Sequence, residues 1–123
     1  MKKTQTKILL VDDEPDILEI VGYNLAQEGY QIVTASNGKE AIAKAIMAKT
    51  DCLVCHKATE KSVGPAFNAV AAKYKNDPKA VDYLTNKIIK GGAGVWGEVP
   101  MPPHSTMKVA DVKAVVDWIL TLK

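Results

Sequence analysis

A mainly α-helical chain, led in by a short β-α-β segment, is the fold class that this sequence predicts. Three observations predict it. Two short apolar runs, Lys7 to Val11 and Tyr30 to Thr34, flank a single helical pattern near the start. Beyond about residue 47, every apolar stripe repeats at helical spacing and no strand is needed. The one long interruption, "GAGVWGEVPMPPHS", is rich in Gly and Pro and is expected to be an irregular loop.

"KILLVDDEPD" opens as a buried strand, Lys7 to Val11, that delivers Asp12 and Asp13 to its carboxyl end. Pro15 suits the first turn of a helix, along which Ile17, Leu18, Ile20, Val21 and Leu25 recur until Gly29 ends the pattern. A second strand, Tyr30 to Thr34, follows. Asn37 is the expected N-cap of the helix "GKEAIAKAIMAK", whose predicted apolar face is Ala41, Ile42, Ala45 and Ile46. "PAFNAVAAKYK" and "AVDYLTNKIIKGG" read as helices, the second stopped by Gly91 and Gly92. "KVADVKAVVDWILTLK" closes the chain with Val109, Val112, Val115, Val116, Ile119 and Leu120 in one stripe. Met47, Tyr83 and Trp118 sit inside such stripes and are expected in the core.

A chain of 123 residues has room for one ordinary domain, not two. Its 47% hydrophobic and 24% charged residues are globular values, and no apolar run approaches a membrane span. Residues 1–46 carry 5 lysines against 7 acids, and residues 47–123 carry 11 against 7. The lysines are spread along helices and there is no arginine, so the basic second half reads as a solvated surface, with no nucleic-acid motif behind it. Two cysteines three positions apart do not make a disulfide scaffold. "MKKTQTK" is a basic start, but the apolar stretch after it breaks at Asp12 and Asp13, so no export signal is expected.

The chemistry gathers in "CLVCH", Cys52 to His56, which holds both cysteines and one of the two histidines. This is the attachment pattern of a c-type haem: two thiols one helical turn apart meet two vinyl groups, and the next residue offers an imidazole to the iron. A chance match, a redox dithiol and half of a zinc site are the rival readings. Zinc would want more ligands than His104, the one remaining histidine, and a dithiol would want a thioredoxin-like βαβ context where helices follow here. An electron carrier also needs a second axial ligand, and Met101, 45 residues after His56, lies in the loop where a side chain can be aimed rather than packed. His104 is expected to be an exposed loop residue and Met107 a helix-start residue.

Two family resemblances divide the chain. From about residue 38 to 123, through "CLVCH", "VGPAF", "KIIKGGAGVWGEVPMPPH" and "WILTLK", it resembles the small bacterial class I cytochromes c of the c-551/c-552 type. That resemblance implies an all-α domain with one covalent haem c, thioethers at Cys52 and Cys55, and iron ligated by His56 and Met101. It further implies that the Pro65 carbonyl orients His56, that Trp96 hydrogen-bonds a haem propionate, and that Val63 and Phe67 wall the ring. The implied role is one-electron transfer between redox protein partners, without enzymatic turnover, outside the cytoplasmic membrane.

Residues 4 to about 46, "KILLVDDEPDILEIVGYNLAQEGYQIVTASNGKEAIAKA" at their centre, resemble the first two βα units of a response-regulator receiver, a doubly wound α/β fold. In that family the acidic pair after the first strand helps bind Mg²⁺, which makes Asp12 and Asp13 a vestigial metal site; the plainer reading is that they cap the next helix. Where the phosphoryl-accepting Asp belongs, "TDCLVCH" places His56, so phosphotransfer and the alternative function of a receiver-like signalling module are not expected. The expected organisation is a truncated receiver-like fragment at 1–37 and a cytochrome domain at 38–123, sharing a helix over about 38–49. Receivers work in the cytoplasm, so a recombined, engineered or fused chain explains the pairing best. A two-strand fragment is not expected to be stable alone, so it is expected to be loosely packed, docked on the cytochrome domain or buried in an oligomer.

Overall fold

The structure, a computed structural model, describes residues 5–122. Most of the basic start, Met1 to Thr4, and the final Lys123 lie outside the described residues. The chain divides into two compact units, Met1–Ala45 and Ile46–Lys123.

In the first unit, strand β1 (Lys7–Val11), helix α1 (Pro15–Gln27) and strand β2 (Gln31–Ala35) form a β-α-β unit. The strands pair in parallel, Lys7 with Gln31 through Val11 with Ala35. Pro15 opens α1, as its preset φ allows. The helix ends in a Schellman turn: Gly29, at φ 98°, donates its N–H to Ala26 O, and Tyr30 donates to Leu25 O. That second bond is why β2 begins one residue later than predicted, since Tyr30 belongs to the helix end. Gly22 is the buried point of α1, where an added Cβ would meet Ile32 Cγ2 at 3.6 Å and Leu10 Cδ1 at 3.7 Å. Few other residues of this unit are buried, and Ile17, Ile20 and Tyr23 stay exposed.

Helix α2 (Gly38–Met47) starts as predicted, with Asn37 Oδ1 accepting the Glu40 N–H at 2.9 Å. The Glu40 carboxylate in turn accepts from the Ser36 N–H at 3.1 Å and the Ser36 hydroxyl at 2.9 Å, and Lys44 Nζ lies 2.8 Å away. Its buried positions are Ala43 and Met47, not the predicted Ala41/Ile42/Ala45/Ile46 face, and Ile42 is exposed. An i, i+4 pair in the neighbouring stripe is buried instead; spacing alone could not choose between two such stripes on a helix this rich in Ala and Ile.

The second unit comprises α3 (Cys52–Cys55), α4 (Phe67–Tyr74), α5 (Ala80–Lys90), strands β3 (Gly92–Gly94) and β4 (Gly97–Met101), and α6 (Val109–Ile119). Helix α6 packs on α4 and α5, and the core is Phe67, Val70, Ala71 and Tyr74 with Val112, Val115, Val116, Trp118 and Ile119. Val109 and Tyr83, both predicted inside apolar stripes, are exposed: Val109 is the first residue of its helix, and Tyr83 lies with its ring 5.6 Å from that of Tyr74.

The segment expected to be an irregular loop contains a small antiparallel hairpin, with Gly92 paired to Met101 and Gly94 to Gly97. Glycine is the reason. Gly92, Gly94 and Gly97 take φ of 122°, 117° and 118°, a backbone region closed to most side chains, which lets the chain reverse around Val95 and Trp96. A composition that signals a turn was therefore also the composition of a strand pair.

Candidate haem site

Cys52 and Cys55 occupy the single turn of α3, and His56 caps it in extended conformation with its N–H on Cys52 O at 2.9 Å. The turn is held from before by Thr50, whose hydroxyl bonds Met47 O at 3.0 Å and lies 3.0 Å from Cys52 Sγ. Burial pushes the Cys52 thiol up, with the Thr50 hydroxyl opposing it in part. Both sulfurs are free thiols.

Residues 57–66 fold back over this turn. Gly64 donates its N–H to Cys55 O at 2.7 Å, and Phe67 donates to Lys57 O at 2.8 Å. The Pro65 carbonyl thereby comes within 2.7 Å of His56 Nδ1. A carbonyl only accepts, so Nδ1 carries the hydrogen and Nε2 keeps its lone pair. The ring is confined on both sides. Phe67 stacks on it at 5.3 Å and 22°, and a Cβ on Gly64 would fall 2.5 Å from His56 Cε1.

Above this floor opens an apolar cleft of about 1170 Å³, its open mouth included, lined among others by Val63, Leu84, Ile88, Val99 and Val115. Met101, at the end of β4, lines the same cleft. It is placed by Gly91, the cap of α5, whose backbone comes so close to Met101 and Pro103 that a Cβ would collide with Met101 O. Trp96, at the hairpin turn and partly exposed, also lines the cleft, with Lys73 Nζ 5.8 Å from its ring centroid.

Thus Cys52, Cys55, His56, Val63, Pro65, Phe67, Trp96 and Met101, separated by up to 49 positions, border one cavity. The donor chemistry fits haem c: two sulfurs, an oriented imidazole, a thioether from a distant segment and mostly hydrocarbon walls, with Asp51, Lys87 and His104 also on the lining.

A family model described as cytochrome c matches residues 40–123. The chain belongs to the cytochrome c family. Cytochrome c-552 of Nitrosomonas europaea is 51% identical over 75 residues, covering 61% of this chain and 73% of that protein. Cytochrome c-551 of Allochromatium vinosum is 49% identical over 83 residues, covering 67% and 88%. The crystal structure of the Nitrosomonas europaea cytochrome c552 superposes with a TM-score of 0.62 at 48% identity, over 65% of this chain and 99% of that one. As a cytochrome c, the protein holds one covalent haem c and is a mono-haem electron carrier, not an enzyme.

One residue of this cytochrome departs from expectation. His104 is not an exposed loop residue: its side chain is 13% exposed, and Nε2 lies 2.6 Å from Asp51 Oδ1. That hydrogen bond is the main reason the Asp51 carboxyl sits below the usual carboxylate range. No sequence signal joins two residues 53 positions apart.

Asp12 and Asp13 follow β1 in the first unit. Asp12 Oδ1 accepts the Glu14 N–H at 2.8 Å, a turn bond before α1, and among the described residues no three His, Cys, Asp or Glu side chains gather as a metal site.

Proposed function

We propose that His56 and Met101 are the axial ligands of the haem iron and that Cys52 and Cys55 carry it covalently. The observation that supports this most is the 2.7 Å contact from His56 Nδ1 to Pro65 O, which leaves Nε2 free at the floor of the cleft that Met101 also lines. When bound, the haem supplies one reversible ferric/ferrous couple. The protein's part is to keep both ligands in place in either oxidation state, which keeps reorganisation small, and to surround them with hydrocarbon, which sets the potential. Pro65 holds the imidazole's tautomer and orientation. Val63 and Phe67 would wall the bound haem, and Trp96 would offer its indole N–H to a propionate. With His56 and Met101 both holding the iron, oxygen binding and peroxidase chemistry would be suppressed.

Electrons pass to and from redox protein partners outside the cytoplasmic membrane; no helix among the described residues is long and apolar enough to cross one. The residues matched to the cytochrome family begin at 40. The preceding β-α-β segment is read as a receiver-derived fragment, ending near residue 37 and sharing the helix that follows, in a recombined chain whose exposed α1 favours self-association. Its Asp12 and Asp13 are relics of a Mg²⁺ site without function.

An optical spectrum of the purified protein, oxidised and then reduced with dithionite, tests the ligation. A sharp α-band on reduction and a weak far-red band in the ferric state are expected. Met101→Ala should abolish the far-red band and keep the α-band of covalent haem; retention of both would refute Met101 as ligand.

A further inference from the structure

We propose that His104 is a positioning residue: paired with Asp51, it clamps the Met101 loop to the segment that opens the Cys52–Cys55 turn, and so holds Met101 against competing ligands. The proposal rests on the reading of Met101 as an iron ligand.

Three separate segments meet at His104. Its backbone N–H lies 3.1 Å from both Ile88 O and Ile89 O, which ties the loop to the last turns of α5. Its ring spans from the same Ile88 carbonyl to Asp51, with Nδ1 3.3 Å from Ile88 O and Nε2 2.6 Å from Asp51 Oδ1. A carboxylate only accepts, so Nε2 is the donor to Asp51, and the ring sits as a strut between α5 and Asp51. Asp51 is the residue immediately before Cys52, on the strip of chain that the thioether anchors.

Only Pro102 and Pro103 separate Met101 from His104, and two fixed φ angles make that link stiff. Gly91 packs against the backbone of the same stretch. Moving the Met101 backbone away from the cleft therefore moves His104 with it, and moving His104 breaks the short contact to Asp51. An added imidazole takes the distal position more easily when that backbone is free to yield. The exchange breaks an iron–sulfur bond and forms an iron–nitrogen bond, with no change in oxidation state and no proton lost from the chain.

The test uses the haem-loaded full chain in the ferric state. Imidazole is titrated while the far-red band is followed, in the parent, Asp51→Ala, His104→Gln and the double variant. Asp51 is half exposed, so its replacement does not threaten the fold. Each single variant should bind imidazole about 3- to 10-fold more tightly, the worth of one charge-assisted hydrogen bond discounted for exposure. The double variant should bind no more tightly than the singles, because either change opens the same clamp. Urea unfolding of the ferrous proteins, run in parallel, should show a smaller effect than the imidazole titration; a purely structural role would reverse that order. Unchanged imidazole affinity in variants that keep the far-red band, or additive effects, would overturn the clamp. A parent protein without the band would refute the Met101 assignment itself, and the clamp with it.

Discussion

At the scale of single residues, the site is controlled as much by atoms that are missing as by those present. Gly64 has a φ that any residue can adopt, yet its Cβ position is taken up by the His56 ring. Gly64→Ala should therefore displace the imidazole from Pro65 O and destabilise the haem-loaded protein by about 1–3 kcal/mol, an overpacking cost. A weakened far-red band together with a lowered urea midpoint checks this. Glu40 makes the opposite point, a charge that is well served. Burial pushes its carboxyl up, but the hydrogen bonds from Lys44 and from the Ser36 backbone and hydroxyl, with the charge of Lys44, outweigh burial and hold it below the usual carboxylate range. A lowered folded pKa adds stability above the ordinary carboxylate value and loses it as pH falls through the folded one. Glu40→Gln should thus lower Tm at pH 7, and the difference should shrink as pH falls below the ordinary carboxylate value.

At the scale of elements, glycine and proline decide where helices stop and how the cleft is framed. The helix ends at Gly29 and Gly91 were legible in sequence because each is a positive-φ position that other residues avoid. The hairpin of β3 and β4 was not legible, because its pairing depends on three such glycines acting together. Gly22 is a different case. It lies mid-helix, and a Cβ there would make ordinary contacts with Ile32 and Leu10. Gly22→Ala should stabilise the β-α-β unit by about 0.5–1 kcal/mol through helix propensity, measurable as slower amide exchange in α1. Unchanged or faster exchange would mean that the sheet cannot accept the methyl group.

At the scale of the whole molecule, the two units are unequal in substance. The Ile46–Lys123 unit has a true core around Phe67, Val112, Val116 and Trp118, whereas the Met1–Ala45 unit has two parallel strands and one covering helix with exposed Ile20 and Tyr23. The solved Nitrosomonas europaea relative is covered almost completely by 65% of this chain. A fragment of residues 38–123 should therefore mature with haem and give the same reduced spectrum and reduction potential as the full chain. A fragment that stays colourless, or whose potential differs by tens of millivolts, would show that the first unit takes part in the redox site.

By itself the sequence determined the chemistry. "CLVCH" is local, so its two sulfurs and imidazole had to share one turn, while Met101 stood out by its loop and Pro65, Trp96 and Phe67 were implied by the family resemblance alone. The helices were legible for the same reason, since a 3.6-residue period is written within a dozen positions. Only the tertiary structure decided which stripe of α2 is buried, that a Gly-rich loop closes as a strand pair, and that His104 meets Asp51. Those outcomes depend on contacts between residues far apart in the chain, whose partners no local pattern encodes.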